Sequence, residues 1–294
     1  MIDFQPAGFG QKSVQTSLGT LVYYTQTRAP WSLKAGRPTV VFLHSLGGGA
    51  SAYEWSKVYP AIAATHQIIA PDLMGWGESS HPARRYRIED YLLSLSEFLQ
   101  MLPDPVTLVA ASWTGALAVR LANQLPEKIR SLFLTCPSGF NDFGTGAGRR
   151  LPAPIINTPL LDQVIYALGA TNEFAVRNFL EQFLFAKRDR ISPEIVAAYL
   201  ASAQQPNADY AALAFLRGDL YFDLAQDLPQ LAVPTAVVWG ARSQFTPLSL
   251  GRRLAALSSQ VQQFHIVDDT GVLPQLEQPS VVAGLLVGWL KNNL

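Results

Sequence analysis

Three short segments hold the residue types from which chemistry could be built. Residues 44–49 read His-Ser-Leu-Gly-Gly-Gly after the apolar run Thr39–Leu43. The unhindered backbone N–H groups of such a glycine-rich loop suit it to facing an anion. Residues 71–80 read Pro-Asp-Leu-Met-Gly-Trp-Gly-Glu-Ser-Ser after a second apolar run. Residues 110–115 read Ala-Ala-Ser-Trp-Thr-Gly and set Ser112 between an apolar run and a helical pattern. A serine there is either the N-cap of the helix or a nucleophile at its N-terminus, and a nucleophilic serine needs a base. The candidates for that base are four histidines, His44, His66, His81 and His265. The one cysteine, Cys136, excludes an intramolecular disulfide framework and a Cys-cluster metal site, so neither metal nor cofactor is expected.

The elements that must carry these segments follow from periodicity. Apolar runs reading as buried strands fall at Thr39–Leu43, Gln67–Ala70, Val106–Ala110, Ser131–Leu134, Thr235–Trp239 and Val261–Val267. Helical patterns lie between them, at Ala52–Ala63, Ile88–Leu102, Gly115–Leu125, Leu248–Ala256 and Ser280–Lys291. A hairpin, Lys12–Ser17 and Thr20–Thr25 turning at Leu18-Gly19, precedes them. The alternation predicts a mostly parallel sheet covered by helices. It breaks between Pro137 and Pro229, where a glycine-rich start leads into helical patterns at Leu160–Leu168, Glu173–Phe185, Pro193–Ala203 and Tyr210–Leu216. Residues 137–229 therefore read as a helical cap inserted into a core of residues 1–136 and 230–294. Its many aromatic rings read first as cap core.

Composition narrows the function classes. With 49% hydrophobic and 15% charged residues the chain has ample material for a large core, which excludes intrinsic disorder. Its 22 basic residues balance 22 acidic ones with no basic block, so no nucleic-acid footprint is present. The apolar run Val281–Leu290 is about half the ~20 residues of a bilayer span. Residues Met1–Pro6 lack a basic start and an apolar stretch, so a soluble, cytoplasmic protein is expected. A peripheral contact with a membrane or a protein partner stays open.

The three segments, in their order and spacing, resemble the α/β-hydrolase fold in its capped, epoxide-hydrolase- and esterase-like branch. The resemblance spans nearly the whole chain and implies an eight-stranded, mostly parallel sheet flanked by helices. It also implies a strained strand-to-helix turn that lifts a nucleophile, here Ser112, above the sheet. The oxyanion hole of the family maps to the backbone N–H groups of Leu46 and Trp113. Small residues are usual two positions before and after the nucleophile. Ala110 suits that rule and Thr114 departs from it.

The rest of the triad departs further. The family's acid follows the strand equivalent to Thr235–Trp239, but Trp239-Gly240-Ala241-Arg242 is followed by Ser243. Its histidine follows the last strand, but Gly271-Val272-Leu273-Pro274 carries Val272 there, with Glu277 and Pro279 of the surrounding motif in place. His44 lies nearest the site, where the family's equivalent commonly braces the oxyanion loop. Asp142 lies where some relatives carry the acid, yet an acid with no histidine to orient has no triad role. Loss of the base alone costs about 10⁶ in turnover, so ordinary ester hydrolysis is not expected.

Three readings remain. The first is a binding protein for a small apolar ligand, with Leu46, Trp113, Val272 and Phe245 as pocket floor and His44 and Ser45 beside it. The second is an unconventional Ser112-dependent hydrolase or lyase acting on a lipophilic substrate. The third is an assembly partner using exposed apolar surface. Ligand that co-purifies separates the first from the third, and reaction of Ser112 with a covalent serine probe favours the second. Residues Phe179–Arg190 look like hydrolase-fold proteins of cyanobacteria and chloroplasts, which implies acyl, prenyl or pigment-like ligands.

Overall fold

A single eight-stranded sheet organises the molecule, in the order β1-β2-β4-β3-β5-β6-β7-β8. The computed structural model describes residues 4–31, 36–144 and 171–293. The helix expected at Leu160–Leu168 lies outside them. Strands β1 (Phe9–Thr16) and β2 (Gly19–Gln26) form the hairpin, closing at Thr16 opposite Gly19. β2 pairs antiparallel with β4 (Gln67–Pro71). All further pairings are parallel, through β3 (Thr39–Leu43), β5 (Val106–Ala111), β6 (Ile129–Thr135), β7 (Thr235–Gly240) and β8 (Val261–Val267).

Position in the sheet explains the composition of each strand. Every residue of β5 and β7 is buried, as interior parallel strands with both faces covered require. β8 has no fully buried residue before Val267, which fits an edge strand. The chain runs from β3 outward to β4 and then back across β3 to β5, so the strand order reverses there. Loops leaving the carboxyl ends of β3 and β5 flank the crevice that such a reversal opens. The glycine-rich loop and Ser112 are those two loops.

Helix α1 (Ile88–Gln100) opens with Asp90 accepting the Arg87 N–H at 2.8 Å, and α2 (Trp113–Gln124) leaves β5 with only Ser112 between them. The helix expected over Ala52–Ala63 is instead two 3-10 turns, Ala52–Trp55 and Tyr59–Ala61. Pro60 is the reason, since it has no N–H to donate and restricts the residue before it. Between β6 and β7 the described chain holds α3 (Glu173–Phe179), α4 (Pro193–Ala203) and α5 (Ala208–Arg217). α3 runs into a π turn at Leu180–Leu184 rather than continuing as one α-helix. The last segment carries α6 (Leu248–Ala255), α7 (Pro274–Glu277) and α8 (Pro279–Asn292). Trp55, Trp113, Trp239 and Trp289 are fully buried around the sheet. No helix among the described residues is long and apolar enough to cross a membrane.

Candidate functional site at the junction of strand β5 and helix α2

Ser112 sits at φ 54° and ψ −124°, a conformation that L residues other than glycine rarely adopt. Its backbone is held on both sides: its N–H donates to Thr135 O at 2.8 Å, and its carbonyl accepts from Ala116 N at 3.2 Å and Ser138 N at 3.3 Å. The hydroxyl makes no N-cap hydrogen bond, which removes the plain capping role. Close packing enforces the turn, since a side chain on Gly115 would meet Pro137. Thr114, the departure from the small-residue pattern, is fully buried, with its hydroxyl 2.8 Å from His44 O and 2.9 Å from Ala111 O. It ties the elbow to the β3 loop, a role that a glycine lacks. The Trp113 indole does not floor the site. It is wholly buried, edge-on to Tyr91 and Phe222, and donates to Leu220 O at 2.6 Å.

The β3 loop is held from beneath. Leu73 N–H donates to His44 Nε2 at 2.9 Å, so Nε2 is the lone-pair nitrogen and Nδ1–H donates to Ser45 O at 2.6 Å. Both ring nitrogens are thus engaged, and burial lowers the His44 pKa to about 4. Ser45 donates its N–H (2.8 Å) and its hydroxyl (2.6 Å) to Glu54. Tyr199 of α4 donates to the same carboxyl at 2.8 Å. Glu54 is fully buried without a cationic partner among the described residues, and desolvation raises its pKa. Sequence reasoning missed this carboxyl. Its signal was an acid inside the otherwise apolar run Ala52-Tyr53-Glu54-Trp55. The backbone N–H groups of Leu46 and Trp113 donate to no acceptor among the described residues.

The loops after β7 and β8 meet the same region. Ser243 is buried and its hydroxyl pairs with Thr246 at 2.8 Å. Val272 is 2% exposed, and its N–H donates to Leu184 O at 3.1 Å. Glu277 accepts the Gly271 N–H, the Ala186 N–H at 3.0 Å and the Lys187 N–H at 3.2 Å, with Arg190 at 3.5 Å. Cys136 closes the base of the two loops: Gly240 N–H lies 3.3 Å from its sulfur, which lies 3.8 Å from Gly271 O. Burial pushes that thiol up to about 12.

The π turn forms a roof over all three loops. Phe179 and Leu184 lie against Gly47, and Leu184 also packs against Gly271. Phe183 stacks on the half-buried Phe245 at 5.5 Å and meets Phe179 at 5.6 Å.

All four histidines are described, and none hydrogen-bonds Ser112. His66 precedes the amino end of β4, an interior strand, at the far end of the sheet from the elbow. His265 lies on edge strand β8 and pairs with Gln263 at 3.0 Å. His81 lies beyond the Asp72 loop, its carbonyl accepting from Asn207 at 3.1 Å. Asp142 accepts from Ser138 Oγ (2.6 Å), Gly139 N (3.1 Å) and Leu224 N (2.9 Å), a loop-fastening role. Among the described residues no three His, Cys, Asp or Glu side chains gather as a metal would require.

Comparison with known proteins agrees with this fold. The family described as alpha/beta hydrolase fold matches residues 38–279. A haloalkane dehalogenase of Mesorhizobium japonicum is 40% identical over 99 residues, but that match covers only 33% of this chain and 31% of the dehalogenase. Lipase 1 of Psychrobacter immobilis is 28% identical over 250 residues, 83% of this chain and 73% of the lipase. Among solved structures, a serine hydrolase involved in carbazole degradation superimposes with TM-score 0.76 at 18% identity, covering 96% of this chain and 99% of that one. The Bacillus subtilis carboxylesterase CesB gives TM-score 0.75 at 19% identity, covering 99% and 94%.

Proposed function

Because the chain belongs to the α/β hydrolase fold family, we propose that it holds a small apolar ligand between the elbow and the roof and does not carry out ordinary ester hydrolysis. In this reading residues 137–229 are a cap on a core of residues 1–136 and 230–294. The observation that carries the proposal is the absence of an imidazole for Ser112. Val272 occupies the base position, Ser243 the acid position, and His44 has both nitrogens engaged. A serine hydroxyl near its ordinary acidity is a poor nucleophile without a base.

The ligand chemistry follows from the walls. Phe179, Phe183 and Leu184, which pack on Gly47 and Phe245, would form one wall and Leu46 and Val272 the floor in this reading, favouring an acyl, prenyl or pigment-like body. The N–H groups of Leu46 and Trp113 would take one acceptor oxygen of that ligand, and Ser112 would hydrogen-bond it. Mass spectrometry of small molecules extracted from the purified chain tests the reading, with a lipophilic oxygen-bearing compound as the expected result. Turnover of p-nitrophenyl esters should equal that of Ser112→Ala. A Ser112-dependent kcat on the order of 1 s⁻¹ would overturn the proposal.

One observation favours a second reading, an unconventional Ser112-dependent reaction. The strained φ of 54° is retained where a plain cap would relax. Covalent labelling of Ser112 by a fluorophosphonate probe would support that alternative.

A further inference from the structure

A cavity of about 550 Å³ opens between the β1–β2 hairpin, the Asp72 loop and helix α4. None of Ser112, Leu46, Phe245 or Val272 lines it, so it is separate from the site above. Its volume lies in the range typical of small-molecule sites. Helix α4 turns small side chains toward it, Ala197 and Ala201 being one helical turn apart on the same face. Those alanines leave the space.

The walls have a distinct chemistry. Four aromatic rings, those of Phe4, Phe9, Tyr24 and Tyr53, contribute to the lining. Phe4 and Tyr53 stand edge to face at 5.8 Å. Among the described residues, the charged ones lining the cavity are Asp72, Glu78 and Glu173, and no Lys, Arg or His lines it. Asp72 is fully buried, and its oxygens accept only from neutral donors: Ala52 N at 2.7 Å, Glu78 N at 2.9 Å and the Tyr24 hydroxyl at 3.3 Å. Glu78 accepts from the Gln205 amide at 3.3 Å. None of the three carboxyls forms an ion pair among the described residues. Burial without a counter-charge pushes Asp72 up to about 6.

We propose that this cavity binds a small organic cation, an alkylated ammonium head on an apolar body. Aromatic faces attract a weakly hydrated ammonium group, and the carboxyls supply the charge that it lacks. An anion would face three like charges. A neutral apolar ligand would strip water from Glu78 and Glu173 and return nothing for it.

Titration of the full chain with benzyltrimethylammonium chloride, benzyl alcohol and phenylacetate, followed by calorimetry and by amide chemical shifts, tests the proposal. The cation should bind saturably at millimolar concentration or below and shift the amides of Tyr53 and Ala201. Filling the space with Ala201→Trp should weaken binding at least tenfold. The milder pair Glu78→Gln with Glu173→Gln, at half-buried and exposed positions, should weaken it several-fold without endangering the fold. Equal binding of benzyl alcohol, unchanged binding in both variants, shifts at Leu46 and Val272 instead, or no saturable binding would each overturn the proposal.

Discussion

The two halves of the candidate site differ in what holds them. Around the elbow, side chains act directly on the backbone that would touch a ligand: Thr114 on His44 O, Glu54 on Ser45, and His44 on Leu73. Around the loop after β8, the backbone is fixed by residues other than Val272. Glu277 gathers the N–H groups of Gly271, Ala186 and Lys187, and the Val272 N–H bonds Leu184. No side-chain atom of residue 272 takes part in that frame. The hydrogen bonds that hold this loop do not depend on which side chain occupies position 272, although the Val272 side chain is packed in the core. An elbow held by its own side chains has no such freedom.

Four experiments break or sharpen this contrast. The largest effect is expected from building the missing chemistry into the frame. Ser243→Asp together with Val272→His should restore Ser112-dependent ester hydrolysis, whereas either change alone should give little. The orienting carboxylate is worth about 10⁴ in kcat, and the base about 10⁶. If the double variant folds with its new imidazole within hydrogen-bond reach of Ser112 and still hydrolyses nothing, the frame has drifted from that of an active hydrolase.

Next comes removal of the frame itself. Glu277→Ala leaves three backbone donors without their acceptor, while Arg190 keeps Asp269 O at 2.6 Å, and should cost about 3–5 kcal/mol in urea unfolding. A loss below about 1 kcal/mol would show that Glu277 is not what holds the loop. On the elbow side, Thr114→Val keeps the shape but leaves the His44 carbonyl unsatisfied, so about 1–3 kcal/mol should be lost. Thr114→Gly should destabilise as well, because the threonine fastens the elbow and is no obstacle to it. No loss in either variant would remove that fastening role.

The smallest effect concerns proton binding. His44 should titrate near pH 4, where an unfolded histidine titrates near 6.5. The unfolded state then takes up a proton that the folded state refuses, so this group's contribution to stability, about 3 kcal/mol, is present above pH 6.5 and lost as pH falls toward 4. Asp72, raised to about 6, acts in the opposite sense over an overlapping range. A melting curve therefore mixes the two, whereas NMR of the labelled imidazole reads His44 alone. A midpoint near 6.5 would show the ring unlocked and free to serve as a base.

The sequence by itself determined the strands: the interior parallel ones are apolar on both faces and announce themselves as short continuous runs, whereas edge strand β8 and the hairpin are marked by their spacing and turn. Thr39–Leu43 and Val261–Val267 match the observed bounds, and the other strands differ only at their ends. The flanking glycines, Pro274 and Glu277 also let the sequence assign Ser112, Ser243 and Val272 to the positions proposed for nucleophile, acid and base. The tertiary structure alone decided how those positions are held. Tyr199 meets Glu54 from 145 residues away, Thr114 meets His44 across two neighbouring strands, and Leu184 covers Gly47 and Gly271 together. Periodicity and turn chemistry act within a few residues of one another. Hydrogen bonds between distant segments, and the burial that shifts protonation, exist only once the sheet order has brought those segments together.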